Sequence, residues 1–259
     1  MRIEDSVVIV TGASSGIGLA TARLLAARGA KVALVARSKE KLASLAPELP
    51  GSFPRPTDMS EPSEVRRMVS DVHDHYGRID GLVNCAGRSY LGPVEEVDVE
   101  KYAGIFKLNT LGPFVAMQEV IPIMRRQGGG SIVNVSSPPV SYVVPDIGAY
   151  ASTKAALTSL SLAARKELAK DHIVISVVSP FLTATNLANS ALTTPNNTFH
   201  PDSGARMPTF DGPEVPAAKI LEVLRSGKAV QSARPLWYVV FAFGRSELKA
   251  RFRSVRGAA

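Results

Sequence analysis

Residues 7–37 read VVIVTGASSGIGLATARLLAARGAKVALVAR, and this stretch decides the fold. Val7, Val8, Ile9 and Val10 form a short β-branched run of the kind buried in a sheet. LATARLLAARG then carries apolar residues at helical spacing, and KVALVAR from 31 to 37 returns to a strand pattern. Strand, helix and strand in this length make a βαβ unit with parallel strands.

The alternation continues outward from that unit. Ser60 is a candidate cap for the helical PSEVRRMVSDVHDHYG, followed by a strand IDGLVN at 79–84 and a helix through KYAGIFKLNTLGPFVAMQEVIPIMRR. SIVNVSS at 131–137 and IVISVVS at 173–179 read as strands around the helical AYASTKAALTSLSLAARKELA. The expected fold class is therefore α/β, a doubly wound parallel sheet with helices on both faces in a single domain over 1–259. Residues 183–216, rich in Thr, Asn, Pro and Ser, read as a substrate loop or lid. PAAKILEVLRSG restores a helix, GKAVQSA can supply a last strand, and an apolar and basic segment follows over 235–259.

Composition removes several function classes. With 45% apolar and 20% charged residues in 259, the chain can bury a full core, which excludes disordered and collagen-like readings. Cys85 is the only cysteine and the four histidines are scattered, so neither a disulfide framework nor a metal-ligand spacing is present, and a reducing, cytoplasmic setting is expected. No metal is called for. The N-terminal run lacks the charged start and long apolar core of a signal peptide. The longest uninterrupted apolar run, Leu236 to Phe243, is too short to span a bilayer. Of the net charge of +7, the segment from Arg245 to Arg256 carries +4, leaving a nearly balanced body with no nucleic-acid motif. That tail is open to three readings: core packing, a partner subunit, or peripheral contact with an anionic membrane.

Chemistry enters at the first strand-to-helix turn. In TGASSGIG, Gly12, Gly16 and Gly18 permit a tight turn and close backbone approach, and the helix behind them presents free amides to a pyrophosphate. Tyr150 and Lys154, four apart, share a helix face. An ammonium about 4 Å from the phenol, at an effective dielectric of about 20, attracts its anion by about 4 kcal/mol, or roughly three pKa units. Tyr150 is then expected near operating pH, able to give a proton to a carbonyl oxygen or take one from an alcohol. Taken alone, such a pair is equally a surface tyrosine beside a solvated lysine. At the end of the second strand, Ala36 and Arg37 replace the acid that would bond ribose hydroxyls, and the Arg37 guanidinium suits a 2′-phosphate. Ser14, Ser15 and Ser38 can add hydrogen bonds to it. Arg37 facing solvent is the plain alternative.

The ordered set TGASSGIG, Asp58 in TDMS, NCAG at 84–87, Asn109 in KLNTLG, Ser137 closing SIVNVSS, and YASTK at 150–154 resembles the short-chain dehydrogenase/reductase family. About two thirds of the chain is covered. The resemblance implies a Rossmann-like domain transferring hydride between NADP(H) and a small carbonyl or alcohol substrate, with Asn109, Ser137, Tyr150 and Lys154 as the catalytic group. It implies that Ser137, rather than Ser136, orients the substrate oxygen, and that Asn109 holds a water relaying protons to Lys154. It places the cofactor on Gly12, Ser14, Ser15, Gly16, Ile17, Gly18, Arg37, Ser38, Asp58, Met59, Asn84, Ala86, Gly87, Tyr150, Lys154, Pro180, Thr183 and Thr185. Asn84, Ala86 and Gly87 would support the adenosine side, Asp58 or the Met59 backbone would contact adenine, and Asp58 is otherwise a turn residue. Cys85 stands where the family usually has a second Asn and reads as a small apolar residue. Phe181 replaces the usual glycine after Pro180, and Pro138 and Pro139 after Ser137 are unusual. The family also implies a homodimer or homotetramer packed through helices around 100–126 and 150–170. A 3-oxoacyl reductase, a hydroxysteroid dehydrogenase and a xenobiotic ketone reductase all fit, and a catalytically silent NADP-binding sensor or scaffold is the rival from another class.

Overall fold

The computed structural model describes residues 1–137, 145–180, 183–185, 187, 190–197 and 211–232. Pro138, Pro139, Phe181, residues 186, 188–189 and 198–210 of the 183–216 segment, and the 235–259 segment lie outside the described residues.

The strands are β1 (Val7–Thr11), β2 (Lys31–Ala36), β3 (Phe53–Pro56), β4 (Gly81–Asn84), β5 (Tyr90–Leu91), β6 (Gly130–Val135), β7 (Ile173–Ser179), β8 (Leu192–Thr193) and β9 (Val230–Ser232). The helices are α1 (Gly16–Ala26), α2 (Lys39–Leu45), α3 (Pro62–Tyr76), α4 (Val99–Phe106), α5 (Gly112–Arg126), α6 (Gly148–Glu167) and α7 (Glu214–Ser226). Seven strands pair in the order β3-β2-β1-β4-β6-β7-β9, all parallel, while β5 and β8 form a separate short parallel ladder.

The strand alternation sorts the core into two layers. Val8 and Val10 of β1 join Val32 and Leu34 of β2 under α1, α2 and α7, where Leu25, Leu42, Ile220 and Leu224 are buried. Val7 and Ile9 face the opposite way, with Ala33 and Val35, onto Val65, Met68 and Val72 of α3 and Val120 and Met124 of α5. Both faces of β1 are thus dry, which is why its sequence is a continuous apolar run. The chain winds outward from β1 through β2 to β3, then returns to β4 on the other side of β1. This reversal opens a crevice at the carboxyl ends of β1 and β4, where such sheets bind ligands.

Four local expectations change. The cap of α3 is Glu61, followed by Pro62 at the first helical position; Ser60 instead gives its hydroxyl to Asp58 Oδ1 at 2.7 Å. The helix expected through 101–126 is broken at Lys107–Leu111 by a π turn, in which Gly112 N–H reaches back five residues to Lys107 O. Pro113 supplies the cause, since it lacks the N–H that the Asn109 carbonyl four residues earlier would accept in an α-helix. Three further strands, β3 and the paired β5 and β8, add to those expected.

Candidate active site

Thr11 ends β1, and its Oγ1 accepts from Cys85 N at 3.0 Å and Ala86 N at 3.1 Å. This fixes the NCAG turn against the glycine turn across the crevice. Gly12 has φ +71, and a Cβ there would lie 3.0 Å from Ala86 N, so the position demands glycine on conformation and on space. A Cβ on Gly18 would collide with the Gly12 carbonyl oxygen. Ser15 starts α1 without a side-chain cap bond, so the amides of the first turn are not taken by a capping group. Thr185 Cγ2 packs 3.0 Å from the Cβ position of Gly16, so Thr185 borders this cradle, while Thr183 forms a parallel bridge with Asp211. A nicotinamide dinucleotide fits the residues present: a narrow glycine cradle, an uncapped helix start and a wall of small side chains.

The other cofactor candidates divide. Arg37 lies exposed just past β2 and makes no ion pair among the described residues. Ser38 caps α2, accepting from Lys41 N and donating to Glu40 Oε2 at 3.0 Å, so its hydroxyl is already committed. Asp58 Oδ1 accepts from both Ser60 N and Ser60 Oγ, the geometry of a turn-forming aspartate. Asn84 points into the interior rather than the crevice: its Nδ2 donates to Asn134 Oδ1 at 2.8 Å, and Asn134 Nδ2 continues to Ser161 Oγ at 2.7 Å. Asn84 therefore supports the turn from beneath. Met59 is buried, and its carbonyl sits against the Cβ position of Gly112.

Ser137, Tyr150 and Lys154 are brought together at the carboxyl edge of β6. Ser137 is half-buried, and its hydroxyl lies on the side of the Tyr150 phenol, where it favours the ionised form. Ser136 is buried and spends its hydroxyl on Lys154 O and on Thr158 Oγ1 at 2.8 Å, which leaves Ser137 as the serine facing the phenol. Lys154, 5% exposed, donates from Nζ to Val135 O at 3.0 Å. Gly87 faces it, with Nζ 3.3 Å from where a Cβ would stand.

The electrostatics correct the expectation for Tyr150. Burial pushes its phenol up to about 12; the Ser137 hydroxyl works against this and nearby Cys85 adds to it. Burial also draws Lys154 down to about 8. Desolvation acts on both charged forms at once. The pair is thus a protonated phenol beside an ammonium that is costly to keep charged. The Cys85 thiol, raised to about 12 by burial, is no nucleophile, and it packs against the apolar layer as expected.

Asn109 is fully buried, and its side chain serves the fold rather than a water. Oδ1 accepts from Arg88 N at 2.9 Å, while Nδ2 donates to Arg88 O at 2.9 Å and Thr153 Oγ1 at 3.0 Å. What the π turn leaves without its usual helical donor is the Asn109 main-chain carbonyl. Three residues not singled out from sequence belong to this architecture: Thr11, Thr153 and Arg88. Two of them sit inside quoted motifs, TGASSGIG and YASTK, where their spacing alone gave no role.

A family model described as short chain dehydrogenase matches residues 6–196. An uncharacterized oxidoreductase of Staphylococcus haemolyticus is 35% identical over 181 residues, 69% of this chain and 78% of that protein. A short-chain dehydrogenase from Streptomyces avermitilis superposes with a TM-score of 0.82 at 30% identity, covering 99% of both chains. A 3-ketoacyl-(acyl-carrier-protein) reductase from Brucella melitensis, solved with NADH, gives 0.80 at 25% identity over 89% of this chain and 97% of its own.

Proposed function

Because the chain belongs to the short chain dehydrogenase family and is an oxidoreductase, we propose that it interconverts a carbonyl and an alcohol using NADP(H), with Tyr150 as the acid–base group. The observation that carries this reading is the convergence of Ser137 and Tyr150 at the carboxyl edge of β6 with Lys154 buried there, its Nζ on Val135 O. When bound, the nicotinamide supplies or accepts hydride. Ser137 and Tyr150 hydroxyls hold the substrate oxygen, and the Tyr150 phenol, protonated at neutral pH, gives its proton as the oxygen becomes an alkoxide. Lys154 would hold the cofactor ribose and supply positive charge beside the reacting oxygen. The Asn109 carbonyl accepts a water that returns a proton toward Lys154.

The preference for NADP(H) rests on Arg37, exposed and free of an ion pair among the described residues at the end of β2, with Ser14 and Ser15 as added donors. The Brucella neighbour's NADH is that protein's ligand. Its acyl-carrier substrate makes a 3-oxoacyl compound one member of the substrate class proposed here, beside steroid and xenobiotic ketones. Exposed Leu160 and Leu162 on α6, with Leu111 in the π turn, support a homodimer or homotetramer through these helices. Cys85, single and free, supports a reducing cytoplasmic setting. Among the described residues no helix is long and apolar enough to cross a membrane.

The deciding experiment follows absorbance at 340 nm while NADPH or NADH is offered with a panel of ketones, aldehydes and 3-oxoacyl thioesters. Oxidation of NADPH by at least one carbonyl, faster than of NADH, is expected. Binding of NADPH with no turnover across the panel would instead favour a silent sensor.

A further inference from the structure

The segment expected to be a lid is partly stitched down, and the stitches converge on two residues outside the catalytic group. Its beginning lies at the cofactor cradle, where Thr185 packs on Gly16. Farther on, Leu192 N donates to Ser89 O at 2.9 Å and Thr194 N to Leu91 O at 3.0 Å, making the β5–β8 ladder. Arg88 Nε donates to Ser190 O at 2.8 Å. Glu96 accepts from Asn196 N at 3.1 Å and from Asn196 Nδ2. These two bonds to Asn196 hold the Glu96 carboxyl below its ordinary range. Gly92, at φ +141, has Thr194 where a Cβ would go, so the two strands touch backbone to side chain. Gly92 N also donates to Asp146 O at 2.7 Å, just before the helix that carries Tyr150.

Three segments thus meet beside the catalytic group: 88–96, 145–148 and 190–197. One continuous hydrogen-bonded path runs through them. Thr153 Oγ1 donates to Tyr150 O at 2.7 Å, Asn109 Nδ2 donates to Thr153 Oγ1, Asn109 grips both backbone atoms of Arg88, and Arg88 grips Ser190.

Resting on the oxidoreductase reading above, we propose that residues 190–197 are a fixed wall of the substrate entrance, latched by Arg88 and Glu96, which act as positioning residues for the substrate. Neither side chain touches the reacting atoms. Each holds one end of the wall in register with the helix turn bearing Tyr150. Two latches on one segment make their losses interdependent, because each partly holds the ladder once the other is gone.

The test compares Arg88→Met, Glu96→Gln, the double variant and Arg88→Lys with the wild-type enzyme. NADPH affinity by fluorescence titration and melting temperature serve as controls and should be little changed. Deuterium uptake of the peptide covering 190–197 should accelerate in each single variant and more than additively in the double variant. With a ketone that the wild-type enzyme reduces, each single variant should raise KM about 3-fold to 10-fold, the range of one lost hydrogen bond, with kcat within about twofold. Arg88→Lys, which keeps a cationic donor, should recover part of the loss. Wild-type uptake and KM in the double variant would overturn the proposal, as would a collapse of kcat at constant KM, which would put Arg88 in the chemistry. If the wild-type enzyme turns over no carbonyl, the reductase reading fails, while the exchange measurement still decides the latch.

Discussion

At the scale of single residues, the site is governed by what desolvation does to three groups that sequence spacing places together. Tyr150 and Lys154 share a helix face, and Ser137 arrives from β6. Spacing suggested a phenol lowered by an ammonium; burial reverses the sign, holding Tyr150 at about 12. A phenol that stays protonated is a proton donor first, so carbonyl reduction is the direction that needs no prior ionisation. In the oxidation direction the phenolate is required, and its fraction grows about tenfold per pH unit below the pKa. The rate of alcohol oxidation should therefore climb with pH through the neutral and mildly alkaline range, while reduction loses no rate there through Tyr150; an oxidation profile falling with pH would contradict this. Tyr150→Phe keeps the ring and removes the proton, so turnover should drop about 100-fold to 10,000-fold with NADPH affinity retained. Near-normal turnover would remove Tyr150 from its role. Arg37→Asp replaces a phosphate partner with a repelling carboxylate, and NADPH affinity should fall roughly 10-fold to 150-fold relative to NADH. Unchanged NADPH affinity by titration would move the phosphate site elsewhere.

At the scale of elements, the parts legible in the sequence were those that repeat a period or close a turn. β1, α1 and β2 declare themselves because both faces of the strands are buried and α1 follows a glycine turn. β3 did not, since FPRP carries two prolines and a charge and survives as a strand only on the sheet edge. The β5–β8 ladder has two residues a side, too short for any period, and pairs positions about a hundred residues apart. Ser137 and Ser136 are indistinguishable as letters; the alternation of β6 and the commitment of Ser136 to α6 separate them. The π turn was hidden from periodicity but written in Pro113, four residues after Asn109. That gives an element-scale prediction. Pro113→Ala restores an N–H to the Asn109 carbonyl and lets the turn relax toward α-helix, a change worth up to about 3 kcal/mol for a helix-interior proline. The variant should melt at a higher temperature and turn over more slowly, since the carbonyl that accepts the relay water is now occupied. Wild-type kcat in a stabilised Pro113→Ala protein would show that the π turn is not used.

At the scale of the whole molecule, the buried Lys154 is a cost that folding bears for function. Its pKa falls from 10.5 to about 8 in the folded chain, so below pH 8 both states are charged and the folded one carries the full penalty. Between about pH 8 and 10.5 the unfolded chain holds a proton that the folded one has released, and stability contributed by this group rises with pH. Tyr150 and Tyr76 act with the opposite sign one window higher: both are raised by burial from 10 to about 12, so the folded chain holds protons that the unfolded one loses, and stability falls through that range. Unfolding free energy from denaturant melts should accordingly rise above pH 8 and turn down above about pH 10. Lys154→Met keeps the length of the side chain and removes the charge. It forfeits the bond to Val135 O, yet at pH 7 it should be more stable than the wild type by on the order of 1 to 3 kcal/mol. It should also lose the rise above pH 8, together with turnover. A variant that melts no later than the wild type and retains the alkaline rise would mean that another group titrates there and that Lys154 is solvated in the folded protein.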